Sequence, residues 1–323
     1  MPWVSTPHER PARFDVGVVG AGRVGAVLGA ALARAGHVVT GVSAVSEASL
    51  ERAATLLPGV PVKPIPDVVA GAHLVVLAVP DDALADLVSG LSATGTFTPG
   101  QLVMHTSGAH GISVFEAAAD SDIVPLAIHP AMTFTGTELD LERLQDCCFG
   151  VTTVDLARPV GEALVIEMGG EPEWIAEESR PLYHAALALG ANHLVTLVAE
   201  SMELLRTAGV EAPDRMLGPL LGAALDNALR SGDAALTGPV ARGDAGTVAA
   251  HVAELRAHAP HALAGYLAMA RTTADRALDH GLLKPELAEA LLGVLADGAD
   301  GADGGNSGGP GADGAGPAEG GER

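Results

Sequence analysis

Several things are scarce in this chain. Its 323 residues include two cysteines, Cys147 and Cys148, and these are neighbours. Adjacent thiols build neither a disulfide framework nor a zinc-ligand spacing. Nine residues are aromatic, too few for a platform that stacks single-stranded nucleic acid. Basic residues are scarce too: 18 Lys and Arg stand against 40 Asp and Glu, a formal charge of −22. Such a surface repels phosphate backbones and anionic lipid, so neither nucleic acid nor a membrane surface is an expected partner. A phosphorylated cofactor is not excluded, because it depends on local donors. The N-terminus lacks the apolar core of a signal peptide, and no uninterrupted apolar run approaches the ~18 residues of a membrane span. A soluble, cytoplasmic protein is expected.

What is present is apolar and alternating. Apolar residues make up 48%, enough for sizeable cores, and at roughly 150 residues per domain the length predicts about two domains. β-rich runs at 14–19, 38–42, 74–79, 102–106, 123–128 and 149–154 alternate with Ala/Leu-rich stretches. Near-continuous apolar runs of this length suit strands buried on both faces, with helices as crossovers. The expectation is an α/β domain over 14–158, a doubly wound parallel sheet. After Pro159 the β-rich runs stop. One helical pattern covers about 177–208 and ends at Gly209; others follow near 213–230, 245–257, 260–280 and 285–296. Residues 159–296 therefore read as an all-helical domain. Residues 1–13 read as a flexible lead-in. In 297–323 eleven residues are Gly, and with so little to bury the segment reads as a disordered acidic tail.

The sharpest local signal is Gly20-Ala21-Gly22-Arg23-Val24-Gly25, between the first strand and an apolar helix. In this pattern Gly20 permits the tight turn, Gly22 lets backbone approach a pyrophosphate, and Gly25 lets helix pack on strand. The helix N-terminus then offers free N–H donors. A dinucleotide site is expected. The second strand ends at Ser43, where a binder of NAD usually carries Asp or Glu, and no acid appears before Glu47. Ser43 and Ser46 can hydrogen-bond a 2′-phosphate, with Arg23 in place of the missing supporting arginine, so NADP is expected over NAD. Val79-Pro80 and Ser107 follow later strands, at the carboxyl ends that face the ligand crevice.

The glycine turn, His105-Thr106-Ser107-Gly108, His129-Pro130-Ala131-Met132-Thr133-Phe134, Tyr183-His184-Ala185-Ala186, Asn192 and the Leu236-Thr237-Gly238-Pro239-Val240-Ala241-Arg242-Gly243-Asp244 stretch together carry a resemblance. From about Phe14 to Asp297 the chain resembles a bacterial two-domain family that pairs a Rossmann-like domain with a helical domain of unknown function. More distantly it is similar to ketopantoate reductase, pyrroline-carboxylate reductase, and the 6-phosphogluconate and β-hydroxyacid dehydrogenases. That likeness implies a reductase with a helical dimerisation domain and a substrate cleft between the domains. In the ketopantoate and phosphogluconate relatives a lysine on the long helix protonates the substrate oxygen. Here the only lysines are Lys63 and Lys284, neither on that helix.

The missing role falls to His184, with Asn192 eight residues on as a substrate-orienting group. Eight steps of about 100° leave the two about 80° apart, so both can face one cleft. An imidazole titrates near neutral pH, which suits a general acid. His129 and Tyr183 are candidates to line the substrate, as are Thr237 and Arg242, whose fork suits a carboxylate. Asp244 either orients Arg242 or caps the following helix. His251, His258, His261 and His280 lack the carboxylate spacing of a metal site, and no metal is expected. The sequence reading is an NADPH-dependent reductase of a small oxo acid or related carbonyl, ketopantoate the best single substrate, acting as a homodimer through the helical domain. Its alternatives are a cyclic-imine reductase of pyrroline-carboxylate type and a catalytically silent NADP-binding sensor.

Overall fold

The structure is a computed structural model that describes residues 13–303. It divides into two units, Met1–Leu194 and Val195–Arg323. In the first, β1 (Asp15–Val19), α1 (Arg23–Arg34), β2 (Val38–Ser43), α2 (Glu47–Leu56), α3 (Ile65–Ala70), β3 (Leu74–Leu77), α4 (Asp81–Ala93), β4 (Leu102–His105) and β5 (Val124–Pro130) alternate as expected. They are followed by α5 (Leu139–Arg143), β6 (Cys148–Thr153), α6 (Arg158–Glu167), β7 (Glu171–Trp174) and α7 (Arg180–Leu187). One seven-stranded sheet has the order β2-β1-β3-β4-β5-β6-β7. Every pairing is parallel except β5 with β6, so the sheet is parallel-dominated rather than wholly parallel. A lone parallel bridge, Val42 to Val62, marks where a further strand would flank β2. The strand order reverses between β1 and β3, the kind of point at which such sheets open a ligand crevice at their carboxyl ends.

The core follows from the sequence pattern. β1, β3 and β4 are buried almost throughout, as runs of Val and Leu covered on both faces must be. α1 lays Leu28 and Leu32, both fully buried, against the sheet. Each such leucine stabilises the fold by about 1.5–3 kcal/mol.

Three expectations need correcting. Strands do not stop at Pro159: β7 pairs with β6, and the sheet-bearing unit runs to Leu194 rather than 158. Arg13 is not part of a loose lead-in, because it pairs with Glu167 at 3.3 Å; residues 1–12 lie outside the described residues. The final helix continues to Asp303, with Gly298 packed on Leu267 and its carbonyl accepting from Arg256, while 304–323 lie outside the described residues.

The second unit is helical: α8, which begins at the boundary (His193–Thr207), then α9 (Pro213–Ser231), α10 (Gly238–Arg242), α11 (Ala245–His258), α12 (Pro260–Asp279) and α13 (Pro285–Asp303). Its core is Val248, Val252, Leu263, Leu267, Leu291 and Leu295 with the alanines of α12. The long helical pattern is present but interrupted. A π-helical turn, Ala188–Asn192, separates α7 from α8. The stretch Glu177–Thr207 is, among the described residues, the one helical stretch long and apolar enough to cross a membrane, although polar residues interrupt its apolar run.

Candidate active site

β1 ends in Gly20-Ala21-Gly22, and α1 begins at Arg23. Gly20 has φ 94°, in the left-handed region, and a Cβ there would run into the carbonyl of Ala78. A Cβ at Gly25 would run into the carbonyl of Gly20 and stand 2.8 Å from Ala78 Cβ. The chain's own packing demands those two glycines. It does not demand Gly22, because nothing lies within 4 Å of a Cβ built there. Gly22 is also the N-cap of α1, with no side-chain cap and no acid in the first turn. The first amides of a 12-residue helix thus border open space, which fits a diphosphate. Val24 is half-buried behind the turn.

The other cofactor residues sort differently. Ser43 is buried and its Oγ accepts from Gly20 N–H at 2.9 Å, so it braces the turn instead of facing a 2′-phosphate. Ser46 caps α2, accepting from Ser49 N–H at 3.2 Å, and stays exposed. Arg23 has company that sequence reasoning missed. A Cβ at Gly136 would stand 2.9 Å from Arg52 Cδ and 3.1 Å from Arg23 Cγ, so both arginines converge on one loop. Buried Asp140 fixes that loop, accepting from Thr135 N–H at 2.8 Å and Gly136 N–H at 2.7 Å. Val79 and exposed Pro80 follow β3, Pro80 at the N-cap of α4. Ser107 is buried, and its Oγ accepts from Ala109 and His110 N–H in a local turn.

The face of α7 carries the remaining chemistry. Arg180, Tyr183 and His184 stand at i, i+3 and i+4, on one side of the helix. Arg180 is fully buried: Nε donates to Thr152 Oγ1 at 2.8 Å, and Nη2 donates to the carbonyls of Ala127 at 2.8 Å and Gly150 at 3.0 Å. Its Nη1 has no partner among the described residues. An orphaned buried donor costs about 1–3 kcal/mol, which marks a place for a further acceptor. Tyr183 lies over Gly150, where a Cβ would stand 2.6 Å from the phenol oxygen, and meets His129 Nδ1 at 2.9 Å. His184 sits edge-on to His129, with ring centres 5.9 Å apart. A Cβ at Gly108 would stand 2.6 Å from His184 Cδ2 and 3.0 Å from His129 Nε2. Glu177 ties the same region to the loop after β4, accepting from Ile112 N–H at 2.7 Å and Ser113 N–H at 2.9 Å. Burial pushes the Glu177 carboxyl up, but these bonds outweigh it and hold it below the usual range.

Burial holds two imidazoles neutral. His105 is pushed down to about 4 by burial; its Nε2 contacts the Gly111 carbonyl at 2.9 Å and its Nδ1 accepts from Ser107 N–H at 3.2 Å. His129 is pushed down to about 4 by burial first, then by His184 and Arg180. Burial raises the Tyr183 phenol, with Arg180 opposing, so it stays protonated at neutral pH.

The structure thus brings His129, Tyr183 and His184 together. Asn192 is exposed at the end of the π turn. That turn absorbs one extra residue, so Asn192 falls about seven α-helical steps from His184 and within about 20° of its direction, not 80°. Thr237, Arg242 and Asp244 belong to the helical unit. Thr237 is the exposed N-cap of α10 and Arg242 its exposed last residue. Asp244 caps α11, accepting from Thr247 N–H at 3.2 Å and Oγ1 at 2.8 Å, which settles its role as a cap. No cluster of three or more metal-ligating side chains occurs among the described residues. Sequence reasoning missed Arg180, although its spacing from Tyr183 and His184 was a usable signal. It also missed Gly108 and Gly150, whose need is set by residues far along the chain.

Residues 3–130 match the family described as a Rossmann-like domain, and residues 147–273 match the domain of unknown function DUF2520. No curated protein matches the chain significantly. Among solved structures, a provisionally named NADP oxidoreductase from Bacteroides fragilis is 22% identical, with TM-score 0.70, covering 81% of this chain and 98% of its own. Pyrroline carboxylate reductase from Plasmodium falciparum, solved with NADP bound, is 12% identical, with TM-score 0.55 and coverage of 86% and 98%. Pyrroline-5-carboxylate reductase from Coxiella burnetii is 15% identical, with TM-score 0.50 and coverage of 91% and 98%. At these identities the likeness is one of fold. The chain thus carries, in order, a region that matches the Rossmann-like domain and a region that matches DUF2520.

Proposed function

We propose that the protein is a nicotinamide-dependent reductase of a small oxo acid or related carbonyl, with NADP as its cofactor. The observation that carries this reading is Gly22, a glycine that the chain's own packing does not require, facing open space below the uncapped end of α1. Gly20, Gly22, Arg23, Val24 and Gly25 would hold the diphosphate. Arg23 and Arg52, converging on the Gly136 loop, favour the extra phosphate of NADP. When bound, the nicotinamide supplies the hydride. The His184 ring makes no hydrogen bond to another described residue, so in its imidazolium form a ring N–H is free to give the proton to the substrate oxygen and leave a neutral imidazole. The ring then regains a proton from solvent. Asn192 orients the substrate. Ketopantoate is the single substrate that the family resemblance favours. A cyclic imine is the second reading, supported by the two pyrroline carboxylate reductases among the structural neighbours.

The test is NADPH oxidation against a panel of oxo acids and cyclic imines, with wild type and His184→Ala compared on melting temperature and single-turnover rate. The expected loss is roughly 10²–10⁴-fold in rate, with NADPH affinity unchanged. A folded His184→Ala chain that turns over at the wild-type rate removes the acid role. A wild type that binds NADPH yet reduces nothing leaves the sensor reading standing.

A further inference from the structure

Below the α7 face lies a half-buried histidine to which the reductase reading gives no task beyond lining the site. His129 lies one residue before the end of β5, opposite Gly150 of β6. Its two ring nitrogens have different surroundings. Nδ1 is 2.9 Å from the phenol oxygen of Tyr183, whereas Nε2 packs beside the turn at Gly108, where a Cβ would stand 3.0 Å from it. The phenol has a proton to place, and among the described residues Nδ1 is the acceptor it meets. Donating there satisfies both groups and puts the ring's own proton on Nε2, at the carboxyl end of the sheet. The opposite arrangement would leave the phenol proton and the Nε2 lone pair both without partners.

We propose that His129 is a catalytic hydrogen-bond donor: a neutral imidazole whose Nε2–H, fixed in its tautomer by Tyr183, polarises the substrate's carbonyl oxygen or imine nitrogen, with Arg180 as the positioning residue. A neutral imidazole is a competent electrophile of this kind, since its N–H needs no loss of charge when it donates. Arg180 acts through its neighbours. Its guanidinium is clamped to Ala127 of β5 and to Gly150 and Thr152 of β6, and lies 5.8 Å from the Tyr183 ring centre. It thereby holds the strands that carry His129 under the helix that carries Tyr183. Its charge also opposes a second proton on His129. The groups facing that imidazole are Tyr183, His184 and Arg180 from α7, His105 from β4 and Asp81 at the start of α4. Burial outweighs the acid and keeps the ring neutral down to about pH 4.

The donor role rests on the reductase reading, but the state of the ring can be read without any activity. Nitrogen-15 spectra of the full chain without ligand should show His129 protonated on Nε2 alone at pH 7, and still neutral at pH 5. Tyr183→Phe, which keeps the packing, should release that tautomer. Arg180→Gln should move the titration of His129 upward by about one pH unit if the chain folds. With the best panel substrate, Tyr183→Phe should lower kcat about tenfold with little change in KM, and His129→Asn by about 10²-fold. A charged or Nδ1-protonated His129 in an active reductase overturns the donor role alone. An unaltered spectrum in Tyr183→Phe overturns the tautomer argument. A chain with the expected spectrum that reduces no panel compound sinks the reductase reading, and the donor role with it.

Discussion

Single residues in the glycine turn were legible because their requirements are local. Gly20 is demanded by its left-handed backbone and Gly25 by close packing on Gly20, with Ala78 after β3 pressing on both, and Gly22 by what must lie outside the chain. These demands predict opposite outcomes. Gly22→Val should leave the melting temperature unchanged, because nothing stands within 4 Å of its Cβ, and should weaken NADPH binding at least 100-fold in a calorimetric titration. Gly25→Ala should destabilise the fold itself, since its Cβ meets the Gly20 carbonyl. Ser43 was misread because the sequence does not say which way a side chain turns; its hydroxyl closes on Gly20 N–H. The two histidines with lowered pKa give a second test. His105 and His129 titrate at about 4 in the folded chain, below the 6.5 of an exposed imidazole. Between those values the unfolded chain takes up protons that the folded chain refuses. Their contribution to stability is therefore full above about pH 6.5 and is lost as pH falls through 4, up to about 3 kcal/mol for each ring. Urea unfolding from pH 7 to 4.5 should show the decline. His105→Gln, which can keep bonds to Gly111 and Ser107, should show it reduced by about 1–3 kcal/mol.

Elements were legible wherever hydrophobic periodicity was strong. The six expected strands, and the helices over 213–230, 245–257 and 260–280, appear within a few residues of their expected places, because burial on two faces or one stripe imprints a period on the sequence. β7 was invisible: Glu171-Pro172-Glu173-Trp174 has no apolar run, and it is a strand because β6 offers it an edge. The π turn was equally hidden, since an inserted helical residue leaves no compositional mark. The seating of α7 on the sheet depends on contacts between elements. Gly150 on β6 leaves the space that the Tyr183 phenol fills. Gly150→Ala should therefore cost about 1–3 kcal/mol and lower the melting temperature. Tyr183→Ala in the same chain should recover part of that loss, because the clash then has no second partner. Equal destabilisation with and without Tyr183 would separate α7 from β6 and weaken the site built between them.

At the scale of the whole molecule, the helical unit leaves apolar surface uncovered. No residue of α8 is buried, and in α9 only Pro213 and Leu217 are. Leu229 is 80% exposed, Leu220 63% and Leu225 53% on α9, whereas Leu263, Leu267, Leu291 and Leu295 on α12 and α13 are buried. Patches of this kind mark association surfaces once they pass a few hundred Å². We propose a second copy of the chain as the occupant, since a two-fold contact would set the exposed leucines of one copy against those of the other. The protein should run as a dimer in light scattering at micromolar concentration. Leu220→Glu with Leu229→Glu should shift it to the monomer mass while leaving NADPH binding in the first unit nearly unchanged. Mixing with anionic vesicles separates the rival occupant that the apolar stretch 177–207 suggests. A net charge of −22 opposes such a surface, so the chain should stay in the soluble fraction. A monomer that floats with vesicles would assign the apolar face to lipid and remove the dimer.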